Sequence, residues 1–139
     1  MSAIEICGSV ALIDVEAAGL HLTSTLIGTS GEVQHWPVGM AVTLMFAETD
    51  VALARDLAGR ISMRNRIPAT VSAIERGRIL SKVLLDAGGH RLQSIITTRS
   101  TDTLGLRVGD TVEALIKANE MTVVPAIADP SRIGRLVQP

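Results

Sequence analysis

Apolar residues in this chain come in short runs that alternate with polar ones or stop at glycine, the pattern of half-buried strands rather than helices. The alternation predicts strands near residues 5–15, 18–25, 33–36, 41–47, 50–54, 66–76, 79–87, 90–98, 111–118 and 120–124. The clearest hairpin sets Ile79–Asp86 against His90–Thr97 across Ala87-Gly88-Gly89, whose adjacent glycines supply the positive φ values of a tight turn. Arg76-Gly77 and Val108-Gly109-Asp110 read as two further turns. One helical turn is expected at Ser100–Leu104, capped by Ser100 or Thr101, with Asp102 in its first turn and Gly105 ending it. Many short strands with glycine turns predict an all-β barrel or sandwich.

The pattern also repeats. Val38-Gly39 through Val42 to Leu53 matches Val108-Gly109 through Val112 to Val123 at an offset of 70. Upstream, Ile6–Asp14 matches Ile67–Glu75 at an offset of 61, which makes the first copy nine residues shorter. The deficit falls opposite Ile96–Leu106, so the helical turn is expected in the second copy only. Two related barrels are expected, at 1–56 and 61–125, joined near Arg55–Arg60 and followed by a tail over 126–139.

Composition narrows the function classes. The chain has 139 residues, 47% of them hydrophobic and 19% charged, which suits packed domains rather than disorder. Its formal net charge of -1 gives no basic field for nucleic acid or an anionic membrane. Trp36 and Phe46 are its only aromatic residues, too few for stacking bases. No apolar run approaches the roughly 18 residues of a spanning helix, and no signal peptide is visible. Cys7 stands alone, so it forms no intrachain disulfide and reads as a small buried hydrophobe in a reducing cytoplasm. His21, His35 and His90 lack metal-ligand spacing. Asp14, Glu16 and Asp86 read as exposed turn carboxylates rather than an acidic site. No acid–base constellation and no phosphate-binding loop of nucleotide hydrolases is present, so an enzyme is not expected.

Three segments concentrate hydroxyl, amide and cationic groups: Ser62-Met63-Arg64-Asn65, Ile96-Thr97-Thr98-Arg99-Ser100 and Ile116-Lys117-Ala118-Asn119. They hold no carboxylate, His or Cys. A tetrahedral oxyanion suits such a set, because its oxygens only accept hydrogen bonds and charge-assisted bonds are the strong ones. The plainer reading has Ser62 and Asn65 starting a strand and Lys117 on a solvated face.

Ile61–Val124 resembles the molbindin (TOBE) domain of small molybdate-binding proteins, of a molybdate-sensing repressor and of molybdate-importer ATPases. The resemblance rests on Ser62-x-Arg64-Asn65, Ile74–Gly77, Asp86 with Gly88-Gly89, and Ile96-Thr97 with Ser100. It continues through Leu104-Gly105-Leu106, Val108–Asp110 and Ala114–Ala118. With Val42–Arg55 included, the chain is most similar to the C-terminal double-TOBE region of the importer ATPases. The resemblance implies two tandem five-stranded barrels of the oligonucleotide-fold class, with one short helical turn in the second. It further implies molybdate or tungstate bound without another cofactor, at sites between subunits of a homo-oligomer, with importer subunits as further partners. Ser62, Thr97 and Ser100 would give hydroxyls, Arg64 and Asn65 main-chain or side-chain donors, and Lys117 and Ala118 a neighbouring wall. Met63 stands where Ala is common in the family and Asn119 where Ser or Pro is usual. In the first copy, Ser62–Asn65 map onto Met1–Ile4 and Lys117 onto Ala47, so that barrel is expected to lack the site. A nucleic-acid-binding module is the reading from another class, and low aromatic content and acidic charge count against it.

Overall fold

The turns set the strand pairing. In the computed structural model, which describes residues 1–28, 31, 33–126 and 134–137, β2 (Val10–Ala17) and β3 (Leu20–Ile27) form a hairpin closed by Ala18-Gly19. β7 (Leu80–Ala87) and β8 (His90–Thr97) form the equivalent one, closed by Gly88-Gly89. Both residues of each turn have positive φ, 53° and 75° in the first, 60° and 91° in the second. Glycine meets that demand freely, whereas Ala18 takes it at a cost of roughly 1–2 kcal/mol. Alternation sends Ala11, Ile13, Val15 and Ala17 of β2 inward, as it does Ser81, Val83, Leu85 and Ala87 of β7.

The remaining elements are β1 (Ala3–Cys7), β4 (Val42–Met45), β5 (Ala52–Ala54), β6 (Asn65–Arg76), α1 (Thr98–Leu104), β9 (Thr111–Ile116), β10 (Thr122–Pro125) and β11 (Gly134–Val137). The chain is all-β apart from α1 and three short 3-10 turns among the described residues. The expected strand at 5–15 is two strands broken at Gly8, where φ is 60°. The expected strand at 33–36 is a 3-10 turn, Val33–His35. Residues expected as a plain tail include β11. Cys7, expected inside, is exposed at the end of β1.

Two packing units emerge. One joins Met1–Phe46 with Lys117–Val137, and the other spans Ala47–Ile116. A single division into 1–56 and 61–125 does not describe this, because the short strand that ends each copy pairs in the other copy's unit. β10 lies antiparallel on β4, with Val123 opposite Leu44, while β5 lies antiparallel on β9, with Leu53 opposite Ala114. The second unit is one five-stranded sheet in the order β5-β9-β6-β7-β8. The first holds two three-stranded sheets, β1-β2-β3 and β10-β4-β11. Its core includes Met1, Ile13, Val15, Leu22, Val42, Leu44 and Phe46, and that of the second Ile67, Val71, Val83, Leu85, Val112 and Ile116.

Strand registers revise the repeat. Ala3↔Asp14 recurs as Ala73↔Leu84, Val10↔Ile27 as Leu80↔Thr97, and Leu53↔Ala114 as Val123↔Leu44, so the offset is 70 throughout. The upstream offset of 61 is incorrect, and so is the nine-residue deficit drawn from it. Alternating apolar strands match at several shifts, whereas turn positions such as Gly19/Gly89 and Gly39/Gly109 permit only one. Met1 is therefore the counterpart of Val71, not of Ser62. Backbone bonds agree: the Met1 ammonium donates to Met40 O at 2.9 Å, as Val71 N does to Asp110 O at 2.9 Å. Gly39 N donates to Met1 O at 2.9 Å, as Gly109 N does to Val71 O at 2.8 Å.

A buried serine ties each borrowed strand in place. Ser94 Oγ on β8 donates to Val51 O at 2.7 Å, joining the two end strands of the five-stranded sheet. Its counterpart Ser24 Oγ on β3 donates to Met121 O, joining the two sheets of the first unit. Both serines are 0% exposed, and each accepting carbonyl immediately precedes a borrowed strand. Ser94→Ala leaves the Val51 carbonyl buried without that donor, so it should cost about 1–3 kcal/mol in denaturant unfolding. Ser72→Ala, which removes an exposed bond to Leu84 O, should cost clearly less. Equal losses from the two changes would show that the buried bond is not special.

Across β6 and β9, Arg66 Nε and Nη2 donate to the two Glu113 carboxylate oxygens, each at 2.7 Å. Those hydrogen bonds, with the Arg66 charge, hold the Glu113 carboxyl below its ordinary range against the opposing effect of burial. A carboxyl lowered in the folded state stabilises fully above its unfolded value and loses that contribution as pH falls through the folded one. Wild type should therefore exceed Arg66→Gln in stability near neutrality, and the gap should narrow as pH drops below about 4. Melting curves across pH would check this, and a gap that widens in acid would contradict it.

Candidate functional site

The second unit gathers its donors where β8 runs into α1. Thr97 is extended, with φ -65° and ψ 146°, and caps the helix: its Oγ1 accepts from Ser100 N at 3.1 Å. The Thr97 and Ser100 hydroxyls lie 2.7 Å apart. The expected helical turn is present, but it starts two residues earlier than expected, and the cap is Thr97 rather than Ser100 or Thr101. Gly105 ends it in the left-handed region at φ 60°. Arg55, just past β5, donates to Leu104 O at 3.2 Å and Gly105 O at 3.0 Å, and pairs with Asp110 at 2.9 Å. That guanidinium satisfies carbonyls the helix end leaves open.

The neighbouring Thr98 is buried and points the other way. Its N donates to Ile79 O and its Oγ1 to Gly77 O, both at 2.8 Å, while Ser81 Oγ lies 2.9 Å from Oγ1. These bonds fasten the Gly77–Ile79 turn against the β8–α1 junction. Glycine is required at 77, because a Cβ there would lie 2.3 Å from Leu80 O.

The other expected residues lie elsewhere. Ser62 and Arg64 are exposed and Met63 half-buried on the approach to β6. Asn65 is 0% exposed and opens β6 opposite Ile116. No hydrogen bond joins Ser62, Met63 or Arg64 to Thr97 or Ser100 among the described residues. Lys117 follows β9 directly and is exposed, Ala118 is half-buried and Asn119 exposed, in a 3-10 turn counted with the first unit. The structure thus brings Thr97 and Ser100 into contact and sets Ser62–Asn65 on the same unit. The mapping of Ser62–Asn65 onto Met1–Ile4 fails with the offset of 61. Lys117 remains the counterpart of Ala47, and Thr97 becomes that of exposed Ile27.

Three residues outside the expected set, two of them cations, border the same place. Arg78, Ile79, Thr97 and Arg99 line an open depression of about 690 Å³. Arg99 lies inside a donor-rich segment of the sequence, but Arg78, alone in a turn, carries no periodic signal. Two other depressions on this unit each include a carboxylate, Glu75 in one and Asp86 in the other. Asp86 itself accepts from Gly89 N at 2.8 Å, and Asp14 accepts from Thr23 Oγ1 at 2.8 Å, both as turn or strand carboxylates. No three His, Cys, Asp or Glu residues group to hold a metal ion among the described residues. No described helix is long and apolar enough to cross a membrane.

Comparison with known proteins adds context. Residues 61–123 match the family model of the TOBE domain. Over 80 residues the chain is 49% identical to the molybdenum import ATP-binding protein ModC of Brucella abortus, a match covering 57% of this chain and 22% of that protein. It spans about a fifth of the length of that relative. It is 34% identical over 65 residues to molybdenum-pterin-binding protein 3 of Clostridium pasteurianum, covering 46% of this chain and 96% of that one. The fold is similar to that of the cytoplasmic molybdate-binding protein ModG, solved with molybdate bound. The TM-score is 0.83 and the identity 27%, over 90% of this chain and 91% of that one.

Proposed function

This chain belongs to the TOBE-domain family, and on that footing we propose that it binds molybdate or tungstate reversibly in the cytoplasm, for storage, buffering or sensing. The observation that carries this reading is the likeness, along nine-tenths of the chain, to a protein solved with molybdate bound. The chemistry is in keeping with it. Ser62, Arg64, Asn65, Thr97, Ser100 and Lys117 offer hydroxyl, amide and cationic donors without a carboxylate among them, and Met63, Ala118 and Asn119 supply backbone or side-chain donors beside them. Binding, not catalysis, is the role. A second reading, a regulatory region of a molybdate-importer ATPase, is favoured by the 49% identity to part of ModC.

The sites are proposed to lie between subunits of a homo-oligomer. Ile27, Val38, Ile79 and Val108 are large, apolar and 65–74% exposed, and Val38 and Val108 are repeat counterparts. A partner surface would remove them from water. An interfacial anion then stabilises the assembly, by about 2.7 kcal/mol at a hundredfold excess over its Kd. Melting midpoint should rise with molybdate, and the oligomer should resist dilution better in its presence. Native mass spectrometry showing a monomer with full affinity for molybdate would place the site within one chain.

Calorimetric titration tests the ligand. Molybdate and tungstate, dianions of similar size, should bind alike. Sulfate is smaller and reaches fewer donors at once, and phosphate carries a proton near neutrality that meets another donor. Lys117→Ala should weaken molybdate binding by about tenfold or more, the loss of one charge-assisted bond. Ala47→Ser should leave it unchanged. Equal affinity for sulfate and molybdate would sink the reading.

A further inference from the structure

The depression beside Thr97 has a chemical character that the expected donor set does not cover. Its two cations come from different segments: Arg78 from the β6–β7 turn and Arg99 from the first turn of α1. Their placement is not accidental looseness. Gly77 O and Ile79 O, on either side of Arg78, both accept from buried Thr98, and Thr98 sits between Thr97 and Arg99. One residue therefore fixes the backbone under both guanidinium groups.

The ion pairs of this unit do not involve the residues that line the depression. Arg55 pairs with Asp110, Arg66 with Glu113, Arg76 with Asp102 and Lys82 with Glu48. The carboxylate closest in sequence on α1, Asp102, is held by Arg76 at 2.6 Å. Arg78 and Arg99 have no ion pair among the described residues, and the lining of their depression contains no acid. Guanidinium groups present paired donors in a fixed fork that matches a tetrahedral oxyanion. The Thr97 hydroxyl adds a neutral partner, and Ile79 lends an apolar wall. A volume of about 690 Å³ exceeds what one small oxyanion occupies, so an organic group attached to it also has room.

The geometry points to Arg78 and Arg99 as the cationic jaws of a subsite for a tetrahedral oxyanion dianion, free or as the phosphoryl end of a phosphate monoester, with Thr97 at its floor. The inference extends the oxyanion reading above and rests on it only for molybdate as the first probe. Such a subsite would also make Thr98 a positioning residue that acts through the turn it fastens.

Titration of wild type, Arg78→Gln, Arg99→Gln and the double variant with molybdate and with phenyl phosphate tests it, after melting curves confirm that each variant folds. Arg91→Gln is the control, an exposed cation beside Asp86 in another depression. The double variant should lose about tenfold or more in affinity for whichever dianion wild type binds, with a shallower salt dependence, while Arg91→Gln binds as wild type. Binding of phenyl phosphate but not molybdate, lost in the double variant, would uphold the subsite and overturn the molybdate reading. Molybdate binding that survives both substitutions would overturn the subsite and leave that reading standing. No binding of either probe by wild type would overturn both.

Discussion

A hydroxyl buried from water and bonded to the carbonyl that introduces a borrowed strand is the constraint on which each unit of this protein rests. Ser24 and Ser94 occupy one position of the repeat and make one bond, to Met121 O and Val51 O. Neither hydroxyl has water to fall back on, since both serines are 0% exposed. The borrowed strands are short, three residues in β5 and four in β10, so their ladder bonds alone give little hold. Fixing the carbonyl at the start of each strand also sets its register, and in β10 a slip of one residue would turn buried Val123 outward.

That exchange explains why the ends of the repeats carry so much of the local chemistry. Arg55 follows β5 into the second unit, where it closes the C-terminal end of α1 and engages Asp110. The repeat counterpart of Arg55 is Pro125, which has neither charge nor N–H to do the same. The two units thus share a backbone plan, down to equivalent turn hydrogen bonds, and differ in side chains at the places where charge and hydroxyls matter. Thr97 stands against Ile27, Lys117 against Ala47, and Thr98 against Gly28. Among the described residues, a donor-rich junction forms at the end of β8.

The ion pairs of the second unit leave out the cations beside Thr97. Asp110, Glu113 and Asp102 each hold an arginine, while Arg78 and Arg99 have no ion pair among the described residues and no acid lines their depression. In a chain of net charge -1, a locally cationic patch comes from this pairing pattern rather than from composition. Counting charges along the sequence could not reveal it.

The sequence by itself determined the hairpins, because glycine pairs and period-two alternation are local: Gly88-Gly89, Gly77 and the cap ending at Gly105 all stand where the residues put them. It determined the family as well, through motifs spaced over residues 61–123. It singled out Thr97 and Ser100 through a donor-rich segment and the family resemblance, but that the two meet through a cap at Thr97 is a finding of the structure. Tertiary structure alone decided which sheet receives β5 and β10, as a three-residue apolar strand fits either edge equally well by pattern. It corrected the upstream repeat offset to the 70 that the turn glycines share, because register follows from cross-strand bonds that an alternating sequence satisfies at several shifts. And it alone brought Arg78 to Thr97, since the contact depends on a buried threonine that bonds two carbonyls more than a dozen residues away in the chain.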